Sequence, residues 1–255
     1  YLSCLLFMAA NAGLQLSDCQ EVIAGAVQLI LQDGTRLATK EWPMMWEWHG
    51  KNYLGAAHGL CGILLVLLYF RALVEGFGCG DLLKSTVDAL VAHQLPSGNL
   101  PSSLGSPSDR LVHWCHGAPG FIPLMTEAYA AYGEQKYIDA AHSAAKVVYE
   151  RGLLKKGIGL CHGIGGNGLA LLNLYRATGS EQALMQARQY GLFVHIPNVD
   201  AADKLKHQLR MTPDRPESLF EGSAGFACFL VALLECRAST ETLGRRTRAA
   251  TPWLM

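Results

Sequence analysis

Net charge is the first thing this chain lacks. Its 21 Lys and Arg are balanced by 21 Asp and Glu, and charged residues make up only 16% of the 255 positions. A nucleic-acid binder normally needs a basic face to displace counterions from phosphates, so charge argues against that class. Long apolar runs are missing as well. None reaches the ~18–20 residues of a membrane-spanning helix, and the strongly apolar stretch 62–70 is closed by Arg71. That stretch reads as a buried helix. Cysteine is too sparse and too irregularly spaced for a disulfide scaffold: eight residues, several of them (Cys4, Cys61, Cys228) inside apolar helical runs. A reduced thiol there packs as a small hydrophobe, and a reducing compartment is expected. No secretory signal is visible, and Tyr1 is not an initiator methionine. With 50% hydrophobic residues, disorder is excluded for most of the chain. The length suits one large domain or two small ones with a substantial core.

What is present is a repeat. Four short segments share a glycine pattern: His58-Gly59-Leu60-Cys61-Gly62, His116-Gly117-Ala118-Pro119-Gly120, His162-Gly163-Ile164-Gly165-Gly166 and Glu221-Gly222-Ser223-Ala224-Gly225. Their first glycines are 58, 46 and 59 residues apart. Each copy opens an apolar run, at 63–70, 121–132, 168–175 and 226–234. Glycine allows close approach of neighbouring backbones, so a G-x-x-G turn before a helix lets several helix N-termini crowd around one point. Between the copies lie amphipathic helical patterns at 136–149, 81–93 and 181–192. Strand-like alternation is sparse. The expectation is an all-α array of apolar inner helices and amphipathic outer helices. The Pro-, Ser- and Gly-rich segment 95–111 reads as a loop over the glycine-turn end. The domain is expected to cover residues 1–235, and the arginine-rich segment 236–255 to be a frayed or disordered tail. Trp42, Trp46 and Trp48 are expected to pack as a rim before His58.

The chemically loaded residues are Cys115-His116 and Cys161-His162, each at the mouth of a glycine turn. Two thiolates and one imidazole would make a tetrahedral zinc site with a vacant position, the arrangement of catalytic zinc. The same residues would equally serve as buried cysteines beside helix-capping histidines, and spacing alone leaves both readings open. His58 holds the equivalent position without a preceding cysteine. It is either a packing residue or a general acid/base facing the same cavity. Lys155, Lys156, Arg210, Asp214 and Arg215 lie near these turns in sequence and could hold an anionic ligand; as exposed charges they could equally be simply solvated.

The strings LGAAHGLCGIL, PSGNLPSSLGSPSDRLVHWCHGAPG, GLLKKGIGLCHGIGGNG and PDRPESLFEGSAG resemble the eukaryotic lanthionine synthetase C-like (LanC-like) proteins, from about residue 1 to 234. The resemblance implies an α/α toroid of seven inner and seven outer helices, of which about five helical units fall within this chain, two preceding Tyr1. It implies zinc on Cys115, Cys161 and His162, and an acid/base role for His58. Lys156 corresponds to the family's glutathione site. So do residues of an R-x-P-D stretch, here Arg210-Met211-Thr212-Pro213-Asp214, one residue longer than the family pattern. The implied chemistry is addition of a zinc-activated thiol, glutathione, to a dehydroamino-acid peptide or another small electrophile. The competing function is a non-catalytic glutathione- or small-ligand-binding scaffold for signalling. The expected location is the cytoplasm, with peripheral attachment at the plasma membrane left open. An α/α-toroid glycosidase is disfavoured, because it needs two carboxylates flanking a cleft and Glu221 is the only acid among the rim positions.

Overall fold

Apolar spacing sorts the helices into two layers. A computed structural model describes residues 2–193 and 215–241. It contains α1 (Leu2–Ala12), α2 (Gln20–Arg36), α3 (Leu60–Tyr69), α4 (Arg71–Gly76), α5 (Gly80–Ala92), α6 (Ala118–Tyr132), α7 (Gln135–Arg151), α8 (Ile164–Thr178), α9 (Glu181–Leu192) and α10 (Ser223–Glu241). Among the described residues there are no strands beyond two isolated bridges, Trp48–Lys51 and Tyr53–Ser103. In α3, Leu60, Cys61, Leu64, Leu65, Leu67 and Leu68 are all buried, so the helix is covered on most sides. α6 and α8 bury nearly every residue of their first two turns. In α7, by contrast, burial follows one face through Tyr137, Ala141, Ala144 and Val148, while Lys146, Glu150 and Arg151 face out.

The buried helices line up in chain order, α3 on α6, α6 on α8 and α8 on α10. The amphipathic helices cover them: α5 packs on α3, α7 on α6 and α8, and α9 on α8 and α10. The pairs α3/α5, α6/α7 and α8/α9, preceded by α1 and α2 and followed by α10, form an all-α toroidal array of inner and outer layers. Side-chain ties reinforce the seams. Tyr137 donates its hydroxyl to Asp88 at 2.6 Å and Lys136 pairs with Asp88 at 2.8 Å, joining the outer helices α5 and α7. Arg176 of α8 donates to the Ala232 carbonyl and the Cys236 sulfur of α10.

α10 runs to Glu241, a few residues past the expected domain boundary at 235, and Cys236 is buried against α8. The remainder, 242–255, lies outside the described residues. The tryptophans also divide: Trp42 and Trp46 belong to the core, and only Trp48, 52% exposed, stands at a rim. Trp46 lies over Gly34 and donates to the Ile30 carbonyl at 3.0 Å, so it packs on α2.

The inner helices start at the glycine turns themselves, a few residues earlier than the apolar runs indicate. Their first N–H groups have no partner within the helix. They donate instead to carbonyls seven residues back: Leu60 to Tyr53 (3.1 Å), Ile164 to Gly157 (3.1 Å) and Ser223 to Pro216 (2.7 Å). The second glycine of each G-x-x-G then lies against a carbonyl six residues back. A Cβ on Gly62, Gly120, Gly166 or Gly225 would strike the oxygen of Ala56, Trp114, Leu160 or Leu219. At α6 the loop intervenes. Buried Asn99 accepts from the Ala118 N–H (2.8 Å) and donates to the Leu111 carbonyl (3.0 Å), inserting an amide where the other turns bond directly.

Glycine substitution should therefore have opposite signs at two helical sites. Gly166→Ala must displace the Leu160 carbonyl and should cost about 1–3 kcal/mol. Gly25→Ala, on exposed α2 with nothing within 4 Å of an added Cβ, should stabilise by roughly 0.5–1 kcal/mol. Urea denaturation midpoints of the two variants test both signs.

Candidate metal centre

The glycine turns are stitched side to side as well as front to back. Cys115 N–H donates to the Cys161 carbonyl (3.1 Å), and Cys161 N–H donates to the Phe220 carbonyl (2.8 Å). Gly55 presses on the Cys115 carbonyl from the other side, where a Cβ would not fit. Buried Asn167 of α8 donates to the carbonyls of Val112 (3.0 Å) and Gly152 (2.8 Å), fixing the strands of chain that enter the second and third turns. Four units of the array thus meet along one line of backbone.

On that line Cys115, Cys161 and His162 converge. Their ligand atoms all lie within 4.8 Å of one another. Tetrahedral zinc with sulfur at ~2.3 Å and nitrogen at ~2.0–2.1 Å sets such atoms about 3.6–3.8 Å apart, so the trio fits the ion after a small contraction. Cys115 is buried, and Cys161 and His162 are half-buried, so the trio is not sealed from solvent. The two sulfurs lie close enough to act on each other. A hydrogen bond from the Cys115 thiol, with His162 adding to it, holds Cys161 below the ordinary thiol range. The same bond, together with burial, pushes Cys115 well up. A metal ion there would bind both sulfurs as thiolates and release their protons.

Around the trio stand further cationic and imidazole groups. Lys156 is exposed, yet its charge acts on Cys115, His113 and His116, so the fold brings it to the site. His116 is held below the usual histidine range by burial first, then by His58 and Lys156. Its Nδ1 is buried without a hydrogen-bond partner among the described residues, as is Oε2 of Glu221. Glu221 occupies the fourth turn where the other three carry histidine, and its charge reaches Cys161. His58 is exposed and stands outside the ligand trio. Its ring lies 6.2 Å from that of His116 and 6.1 Å from Tyr53, and nearly parallel to Trp48 at 6.1 Å.

The structure therefore brings together Cys115, Cys161, His162, His116, His58 and Lys156. Arg210 and Asp214 lie outside the described residues. Two neighbours escaped the sequence reading. His113, 5% exposed, places Nδ1 4.0 Å from the Cys115 sulfur, and burial, then Lys156, His162 and His116, push its pKa down to about 4. Tyr53 packs its ring 5.3 Å from that of His116. The one signal for His113 was a second histidine two residues before Cys115, outside the repeated pattern.

Comparison with known proteins agrees with this geometry. The chain is 39% identical over 198 residues to "Glutathione S-transferase LANCL1" of Danio rerio, a match covering 76% of this chain and 46% of that relative. The chain thus spans about half of that relative's length. Nisin cyclase superposes with a TM-score of 0.65 at 16% identity, over all of this chain and 65% of the cyclase, and shares its fold. The family model for lanthionine synthetase C-like protein matches residues 1–240. The chain belongs to the lanthionine synthetase C-like family.

Proposed function

We propose that this chain is a zinc-dependent, glutathione-binding protein that activates a thiol for conjugate addition to dehydroamino acids or other electrophiles. The observation that carries the reading is the convergence of two cysteines from neighbouring turns with His162, three protein ligands that leave a fourth position for a thiol. The name of the relative, a glutathione S-transferase, supports glutathione as that thiol. Bound zinc lowers the pKa of a coordinated thiol so that the thiolate is present at neutral pH.

The protein's own residues then have distinct tasks. Lys156, with Arg210 and Asp214 as proposed companions, would hold the charged groups of glutathione beside the trio. The substrate sulfur bonds to the β-carbon of the alkene, and the π electrons move to the α-carbon. His58 delivers a proton there, and the thiol's original proton leaves to base, so the net change is addition of S–H across C=C. His58 suits this task because it is exposed beside His116 without joining the ligand set. The surrounding histidines and Lys156 would favour the developing negative charge. Eight free thiols support a reducing, cytoplasmic setting.

One zinc per chain is expected, and Cys161→Ala should lose nearly all of it, whereas Cys79→Ala should keep it. Elemental analysis of the purified proteins decides; full zinc in Cys161→Ala removes the assignment. His58→Asn should leave zinc content and glutathione affinity unchanged while slowing thiol addition by ~10²–10⁴-fold. Steady-state rates with a dehydroalanine peptide measure this, and an unchanged rate would take proton transfer away from His58. Zinc and glutathione binding with no turnover in the parent chain would favour the scaffold alternative.

A further inference from the structure

His113 is an expensive residue to bury unless it does something there. An imidazole out of water costs free energy when its polar atoms lack partners, and His113 is among the few polar side chains of the described core. Its position is set from both sides. Its own N–H donates to the His116 carbonyl at 3.0 Å, closing the turn that carries Cys115. The preceding carbonyl, Val112, is held by Asn167. Between these anchors the ring stands with Nδ1 4.0 Å from the Cys115 sulfur, the outer limit for a hydrogen bond to sulfur, and 6.1 Å from the His162 ring. Lys156, His162 and His116 stand around the same ring. A neutral imidazole has one N–H and one lone pair. A thiolate offers only lone pairs, so the nitrogen facing Cys115 must carry the proton when that sulfur is a metal ligand.

We infer that His113 is a positioning residue of the metal centre, donating an Nδ1–H···S hydrogen bond that orients the Cys115 sulfur and draws charge from it. The inference rests on the zinc reading of the Cys115, Cys161 and His162 trio. Metal ligands are commonly oriented and tuned by such outer hydrogen bonds, whose loss costs 10–100-fold in metal affinity or activity. Here the donor acts on a cysteine, and its withdrawal of charge leaves more of the metal's positive charge for the incoming thiol.

The test uses the full chain with cobalt(II) in place of zinc. His113→Leu should weaken cobalt binding by ~10–100-fold in competition with a chelator. It should also move the sulfur-to-cobalt charge-transfer band to lower energy, because a sulfur without its donor gives up an electron more readily. His113→Asn, which returns an N–H near the Nδ1 position, should recover both readouts in part; a purely space-filling role would favour the leucine over the asparagine. Unchanged cobalt affinity and spectrum in His113→Leu would overturn the inference. Should that variant fail to fold, long-range ¹H–¹⁵N spectra of the zinc-loaded parent protein decide. The neutral Nδ1–H tautomer of His113 is the expected result, and the Nε2–H tautomer overturns the assignment. A parent chain that takes up neither zinc nor cobalt would instead strike the metal reading itself, so the two failures are distinguishable.

Discussion

The whole array depends on backbone reaching backbone without an intervening Cβ. At each inner helix the first N–H groups must find acceptors outside the helix; in α3, α8 and α10 they find them in the chain that has just descended into the turn, and in α6 the Asn99 amide stands between. The second glycine of each G-x-x-G is what lets that chain lie close enough. Because the same contact recurs in four units, the N-termini of α3, α6, α8 and α10 share one end of the fold. Neighbouring turns then bond to each other through Cys115, Cys161 and Phe220. The ligand set is a by-product of this stitching: residues 46 positions apart in sequence become adjacent because their turns do.

The electrostatics of the centre follow from its place. Two thiols, one of them buried, sit within reach of one imidazole ligand, two more imidazoles at His113 and His116, and the Lys156 ammonium. Burial first, then the neighbouring cationic groups, lowers the pKa of both His113 and His116. His58, exposed and stacked beside Trp48, stands apart from the Cys115, Cys161 and His162 trio.

Much of the architecture could be read from residue spacing. The pattern at 181–192 is the observed α9, and that at 136–149 sits inside α7. The apolar runs found α3, α6 and α8 but began them late, because a helix start is fixed by where orphan N–H groups find acceptors, and those acceptors lie seven residues back through the turn. α10 likewise begins before its apolar run and extends past it, to Glu241, with Arg176 of α8 bonded to Ala232 and Cys236. The tryptophans show the same limit. Trp42, Trp46 and Trp48 are two or four residues apart in sequence, yet Trp42 stacks edge-on against His93 and Trp46 covers Gly34 of α2, while Trp48 turns outward.

Sequence by itself determined the helical class, the two layers, the repeat, and the identity of Cys115, Cys161, His162 and His58 as the residues to watch. Those follow from periodicity and from chemically distinctive side chains at a recurring position, both of which are local properties. Tertiary structure alone decided that the three ligand atoms meet, that His58 stays outside them, that Lys156 reaches them, and that His113 is buried against Cys115. Each of these is a distance between segments far apart in the chain or a burial imposed by them, and neither is encoded in the spacing of residues along one segment.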